Sequence, residues 1–158
     1  MTNPVAGSYE FIVLLSLAFR SQIDTLHLRL SEAGHAEVRP AHGFTFQLLA
    51  TNGGATGNEI AEHLGVTKQA ASQMIEFLEQ RGYVVRKPYP GDGRGKLVVL
   101  TDKAWDCINK TEVVLTELEN KWAELIGQER MADLRLSLRH LVQEAYGGVI
   151  PNRLRPVW

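Results

Sequence analysis

Along most of the chain, apolar side chains recur at steps of three and four residues, the period of a helix that buries one face. The first such stretch carries Phe11 or Ile12, Leu15, Phe19, Ile23, Leu26 and Leu30. Ser8 ahead of it has the side-chain oxygen of an N-cap. Ala33-Gly34-His35 breaks that helix, and Pro40 suits the first turn of a second one carrying Phe44, Leu48 and Leu49, which Asn52-Gly53-Gly54 ends. A third helix opens at Thr56, turns Ile60, Ala61 and Leu64 inward, and closes at Gly65. The fourth begins at once, with Thr67 as N-cap, Met74, Ile75 and Leu78 as its apolar face, and Arg81-Gly82 as its stop.

After Gly82 the period changes. Tyr83-Val84-Val85 and Leu97-Val98-Val99-Leu100 read as extended segments, and they flank Pro88-Tyr89-Pro90-Gly91-Asp92-Gly93, so a β-hairpin with a long glycine-rich tip is expected. Helical spacing then resumes. Thr101-Asp102 caps a fifth helix with Trp105, Ile108, Leu115, Leu118, Trp122 and Leu125, and a sixth carries Met131, Leu134, Leu138, Leu141 and Ala145 before Gly147-Gly148. Residues 149–158 hold two prolines and no periodicity and read as an irregular arm. At 158 residues these elements fit one α+β domain that is mostly α, with about six helices and one hairpin.

The two helices around Gly65 are the most informative pair. A helix-turn-helix needs a small residue at the close crossing, a turn residue that tolerates positive φ, and apolar anchors on the second helix. Ala61, Gly65, Val66, Ala71 and Met74 supply these in order, and the second helix then projects Lys68, Gln69, Ser72, Gln73 and Glu76 from its other face. Lysine pairs with phosphate or guanine and glutamine with adenine edges when such a helix lies in a major groove. Placed directly after this helix, a hairpin with Arg94 at its tip and Arg86 and Lys96 on its strands is in reach of the adjacent minor groove and phosphates. The alternative is an ordinary helical hairpin with a solvated polar face and a solvent-exposed turn arginine.

Net charge is -1 and gives no hint of a polyanionic partner, but its distribution does. From Thr67 to Lys96 six basic residues stand against three acidic ones; from Thr101 to Leu134 four stand against eight. A basic middle followed by an acidic helical region is what a DNA-facing surface produces.

Glu59-Ile60-Ala61-Glu62-His63-Leu64-Gly65-Val66-Thr67, then Leu78-Glu79-Gln80-Arg81-Gly82-Tyr83-Val84-Val85-Arg86, then Asp92-Gly93-Arg94 leading to Leu100-Thr101, together resemble the MarR family, the multiple antibiotic resistance regulators. The likeness runs from about Ser8 to Tyr146. It implies a winged helix-turn-helix lobe over residues 40–101 and a helical dimerisation lobe over residues 8–33 and 102–147. It also implies that Asp92 braces the wing while Arg94 contacts DNA, with Gly93 standing where many members carry another basic residue. Thr67, Lys68, Gln69, Ser72, Gln73, Arg86, Arg94 and Lys96 are then the expected DNA-binding set.

A homodimer follows from the resemblance, in which the first helix and the last two interlock with their counterparts. The apolar stripes agree, because three long amphipathic helices offer more apolar surface than the small reading unit can cover. Two recognition helices about 34 Å apart would meet a pseudo-palindromic operator, usually to repress. The family also implies release by a small phenolic or aromatic effector in a crevice between the lobes, and His42, Phe46 and Trp105 are candidates for its lining. Their competing role is packing in the core or interface.

Other functions have less support. A phosphate loop, a nucleophile elbow and a helical His-Glu-x-x-His are all missing, and Gly91-Asp92-Gly93-Arg94-Gly95 precedes a strand rather than a helix N-terminus, so catalysis is not expected. The five histidines show no tight pairing of metal type, although His35 and His42 keep a metal-responsive regulator open as an alternative. A winged helix that has become a protein-interaction module is another. No cofactor is expected. The single Cys107 cannot form an internal disulfide, no apolar run reaches the ~20 residues of a membrane span, and a cytoplasmic location is the default.

Overall fold

The computed structural model describes Gly7 and residues 9–151, without the side chains of residues 92–94. Six helices and one hairpin follow in the order α1 Glu10–Glu32, α2 Pro40–Asn52, α3 Gly57–Leu64, α4 Lys68–Gln80, β1 Val84–Tyr89, β2 Asp92–Leu100, α5 Asp102–Ile126 and α6 Gln128–Ala145. Ser8, expected to cap α1, lies outside the described residues; Tyr9 occupies the cap position and makes no side-chain cap bond. The three threonines expected as caps do act as caps. Thr56, Thr67 and Thr101 accept from the backbone N–H of Glu59, Ala70 and Ala104 respectively, each satisfying one of the donors that a helix start leaves free.

One core runs through the middle of the chain. It joins Leu26 and Leu30 of α1, Phe46 and Leu49 of α2, Ile60, Ala61 and Leu64 of α3, Ala71, Ile75 and Leu78 of α4, Tyr83, Val84 and Val98 at the hairpin base, and Ala104, Cys107, Val114 and Leu118 of α5. Burial raises the Cys107 thiol above its ordinary pKa, which keeps it a small apolar side chain rather than a thiolate.

Packing on α5 and α1 is more specific than the apolar period alone shows, and on α1 the expectation of one apolar stripe needs correction. On α5 the buried positions are Ala104, Cys107, Val114, Leu118 and Ala123, whereas Trp105, Leu115 and Leu125 are 43%, 41% and 81% exposed. Leu118 and Ile108 of the expected stripe do pack in the core, and small side chains at Ala104 and Cys107 permit the close approach of neighbouring helices beside them. α1 is also apolar on two sides. Leu26 and Leu30 enter the core while Leu14, Leu17 and Leu28 lie exposed on the opposite side. By length and average apolarity α1 therefore meets the criterion for a membrane-spanning helix, although no apolar run in it is uninterrupted, since Arg20, Ser21 and Asp24 break its middle.

The hairpin tip is tighter than expected. Strand pairing extends from Val84↔Leu100 to Pro88↔Lys96 in one register and then jumps to Tyr89↔Asp92. The turn proper is Pro90-Gly91, and Gly93-Arg94-Gly95 form an unpaired bulge on β2. Turn residues clustered on both sides of the corner made the loop look longer than it is, since glycines that build a bulge resemble those that build a turn.

Candidate nucleic-acid interface

The reading unit is fixed from both ends. At the start of α3, Thr56 accepts from Glu59 N–H at 3.3 Å while its own N–H donates to Glu59 Oε2 at 2.7 Å, a reciprocal capping box. At the turn Gly65 adopts φ 66°, a left-handed conformation suited to glycine, and Val66 N–H returns to Ala61 O at 3.0 Å. Thr67 Oγ1 then accepts from Ala70 N–H at 3.1 Å and starts α4 without delay. Ala71, Ile75 and Leu78 bury one face of α4, so Lys68, Gln69, Ser72 and Gln73 on the other face are exposed.

The hairpin is anchored to the same unit. Ala55 pairs with Val98 through two backbone bonds, Ala55 N–H to Val98 O at 3.0 Å and Val98 N–H to Ala55 O at 2.8 Å. Gly54 permits that approach: a Cβ there would stand 2.9 Å from Val99 Cγ1 and 3.0 Å from Val98 O, at φ +136°. Because β2 is held against the entry to α3, the hairpin flanks α4 at a fixed distance.

Between them lies an open cleft of about 450 Å³ lined by Gly57, Asn58, Lys68, Gln69, Ser72, Ile75, Arg86, Lys96 and Val98. Five of the expected DNA-binding side chains, Lys68, Gln69, Ser72, Arg86 and Lys96, meet in it. Arg86 is drawn toward Glu79, Nε to Oε2 at 3.7 Å, a half-exposed pair that leaves most of the guanidinium donors available. Thr67 is spent on its cap, and Gln73 is exposed on the same helix beyond the cleft. Arg94 and Asp92 lie on β2 near the tip, and their side chains fall outside the described residues. Asn58 was not anticipated. Its signal was positional: it is the second residue of α3, beside a helix start whose free N–H groups favour anions.

The three candidates for an effector crevice occupy different surroundings. Phe46 is 2% exposed in the core with its ring 5.6 Å from that of Tyr83, His42 stacks on Phe77 at 5.1 Å, and Trp105 is 43% exposed. Burial, then the neighbouring Arg39, lowers the His42 pKa. Its Nδ1 accepts from Arg39 N–H at 3.0 Å, which makes it a helix-start residue of α2. A second cleft, about 440 Å³, opens elsewhere, between α1 and the start of α2, with Phe19, Arg20, Asp24, His27 and Arg39 in its wall.

Outside that cleft, His35 in the α1–α2 loop reads from the sequence only as a helix breaker and a loose metal candidate. It is buried, with Nδ1 2.8 Å from Tyr83 Oη and Nε2 2.8 Å from Asp106 Oδ2. Burial first, and then nearby acidic groups, push the Tyr83 hydroxyl up to about 12, so it stays protonated. Lys110, and after it His35, hold Asp106 below its ordinary pKa. Both partners of His35 therefore have defined hydrogen-bonding roles.

Residues 29–95 match the model of the MarR family. The fold is similar to RV1404 from Mycobacterium tuberculosis, with a TM-score of 0.74 and 17% identity over 90% of this chain and 97% of that one. It is also similar to the transcriptional regulator Tm0710 from Thermotoga maritima, with a TM-score of 0.68 and 22% identity over 89% and 99% of the two chains. The transcriptional repressor CouR, solved bound to a 23-mer DNA duplex, aligns with a TM-score of 0.63 and 26% identity over 82% of this chain and 89% of that one.

Proposed function

We propose that this chain, whose residues 29–95 match the MarR family model, is a sequence-specific DNA-binding transcription regulator, a repressor that acts as a homodimer on a pseudo-palindromic operator in the cytoplasm. The observation that carries the reading is the convergence of Lys68, Gln69, Ser72, Arg86 and Lys96 on one cleft between α4 and the hairpin. Three cations there match a phosphate backbone, while Gln69 and Ser72, with Gln73 beyond, present the donors and acceptors that read base edges. The existence of CouR as a DNA-bound repressor of the same fold supports it. Residues 40–101 act as the reading lobe, with Asp92 and Arg94 completing the wing, and residues 8–33 with 102–147 act as the dimerisation lobe.

Support for the dimer comes from α6, which buries none of its residues in the single chain and leaves Leu134, Leu136, Leu138 and Leu141 exposed alongside Leu14 and Leu17 of α1. A second copy covers such a surface and sets two α4 helices on one side, doubling a modest half-site affinity. A small aromatic effector is best accommodated in the cleft between α1 and α2, where Phe19 offers a ring face and Arg20 and Arg39 offer cations. Burial and then Arg39 lower the His27 pKa from its ordinary value, with Asp24 opposing, which favours the neutral ring.

Selection of bound fragments from random duplex DNA tests the reading. The expected result is a two-fold symmetric consensus that changes at defined positions in Gln69→Ala and Gln73→Ala. Recovery of random sequence by wild type would favour the competing role as a protein-interaction module.

A further inference from the structure

We propose that His35 is a positioning residue: a single buried imidazole that pins the reading lobe to the dimerisation lobe and thereby sets the angle at which α4 is presented to DNA. The proposal rests on the DNA-binding reading above for its purpose, but not for its geometry.

Three segments meet at this ring. His35 itself belongs to the α1–α2 loop, where its N–H donates to Leu30 O at 2.8 Å and so ties it to the end of α1. Tyr83 is the residue at which the helix-turn-helix passes into the hairpin; its N–H donates to Leu78 O at the end of α4, and its carbonyl accepts from Thr101 N–H at the start of α5. Its ring is wholly buried, 5.6 Å from Phe46, with Lys103 Nζ 4.5 Å above it. Asp106 lies on α5, where its carboxylate also takes Lys110 Nζ at 2.6 Å, and Lys110 donates onward to Ala33 O at the end of α1 at 3.3 Å.

The chemistry gives the ring an orientation as well as a location. A carboxylate only accepts, so Asp106 requires the proton on Nε2; in the neutral ring Nδ1 is then an acceptor, and the Tyr83 hydroxyl, held protonated, donates to it. Both ring nitrogens of His35 and the Tyr83 hydroxyl are then paired in one tautomer. Rotating the reading lobe about the junction breaks a bond to a hydroxyl inside the core, where replacement by water is not available. Histidine suits the task because its two nitrogens lie on opposite sides of a rigid ring, so one side chain measures the separation between Tyr83 and Asp106.

The test measures lobe geometry directly. Spin labels are placed at Glu76→Cys on α4 and Glu124→Cys on α5, both exposed positions, in a Cys107→Ala background diluted with unlabelled chain so that only distances within one chain are read. His35→Ala and Asp106→Ala are each expected to broaden the distance distribution and to weaken operator binding about ten-fold, with the double variant no worse than either single one. Asp106→Asn, which keeps an acceptor oxygen, restores most of the wild-type width. Asp106 is half exposed, so its replacement leaves the core filled even where His35→Ala fails to fold. A wild-type width in the Asp106→Ala variant, or effects of the two substitutions that add, overturns the proposal. Wild type that binds no duplex overturns the function proposed above instead, and the distance measurement still decides the role of His35.

Discussion

The reading unit and the long helices differ in how far a single chain completes them. In α3 and α4, seven positions from Ile60 to Leu78 are buried, and both helices have threonine caps whose hydroxyls make the expected bonds. In α6 no residue is buried, and the leucines at 134, 138 and 141 are 38%, 37% and 55% exposed although they recur with helical spacing. An apolar stripe with no partner inside its own chain is a surface awaiting one, whereas a polar stripe over a finished core is free to meet a different kind of molecule. The same period of 3.6 residues thus encodes two kinds of interface, and burial of the opposite face tells them apart.

Breaking the helical lobe should have the largest effect. Leu138→Asp is expected to yield a monomer in sedimentation velocity and to lower operator affinity about a hundred-fold or more, because the second half-site is no longer tethered. If the variant stays dimeric with unchanged affinity, the α6 stripe is not the interface. Breaking the core of the reading unit acts on stability instead. Ile60→Ala, at a wholly buried position, should cost about 3 kcal/mol in denaturant unfolding, and an unmoved transition would show that Ile60 does not anchor that core.

The cleft is the next most sensitive. Arg86→Ala, Lys96→Ala and Arg94→Ala should each weaken operator binding about ten-fold with the thermal midpoint retained, from about 1 to 3 kcal/mol per good contact. Unchanged binding in all three, measured by fluorescence anisotropy, would remove the hairpin from the interface. The smallest effect is expected of the cap: Thr67→Ala should cost about 1 kcal/mol of stability, because Ala70 N–H loses its acceptor, and a variant as stable as wild type would show that the cap contributes nothing.

What the sequence made legible follows from which signals are local. Helix starts at Thr56, Thr67 and Thr101, the left-handed turn at Gly65 and the apolar face of α4 are set by residues within four positions of each other, and each was anticipated. The convergence of Lys68 with Arg86 and Lys96 was anticipated in outline, because a hairpin following a helix at once has few places to go. The bridge from Gly54-Ala55 to Val98 was not, although it fixes where the hairpin stands. His35 lay beyond reach for the same reason: its partners are 48 and 71 positions away, and a histidine in a loop carries no periodic signal. On α5 the apolar stripe was legible, with Leu118 in the core and Ile108 packed against it, but the small residues Ala104 and Cys107 that also fill the core carry too little apolar signal to be picked out.

The cleft between α4 and the hairpin is the proposed seat of duplex DNA. The most direct measurement is the salt dependence of duplex binding by wild type and by a Lys68→Ala, Arg86→Ala, Lys96→Ala triple variant, titrated between about 50 and 200 mM salt. Wild type should bind tightly at low salt and weaken steeply, and the triple variant should lose about three phosphate contacts' worth of that slope while remaining folded. Equal slopes for the two proteins, or wild type that ignores every duplex at low ionic strength, would contradict it.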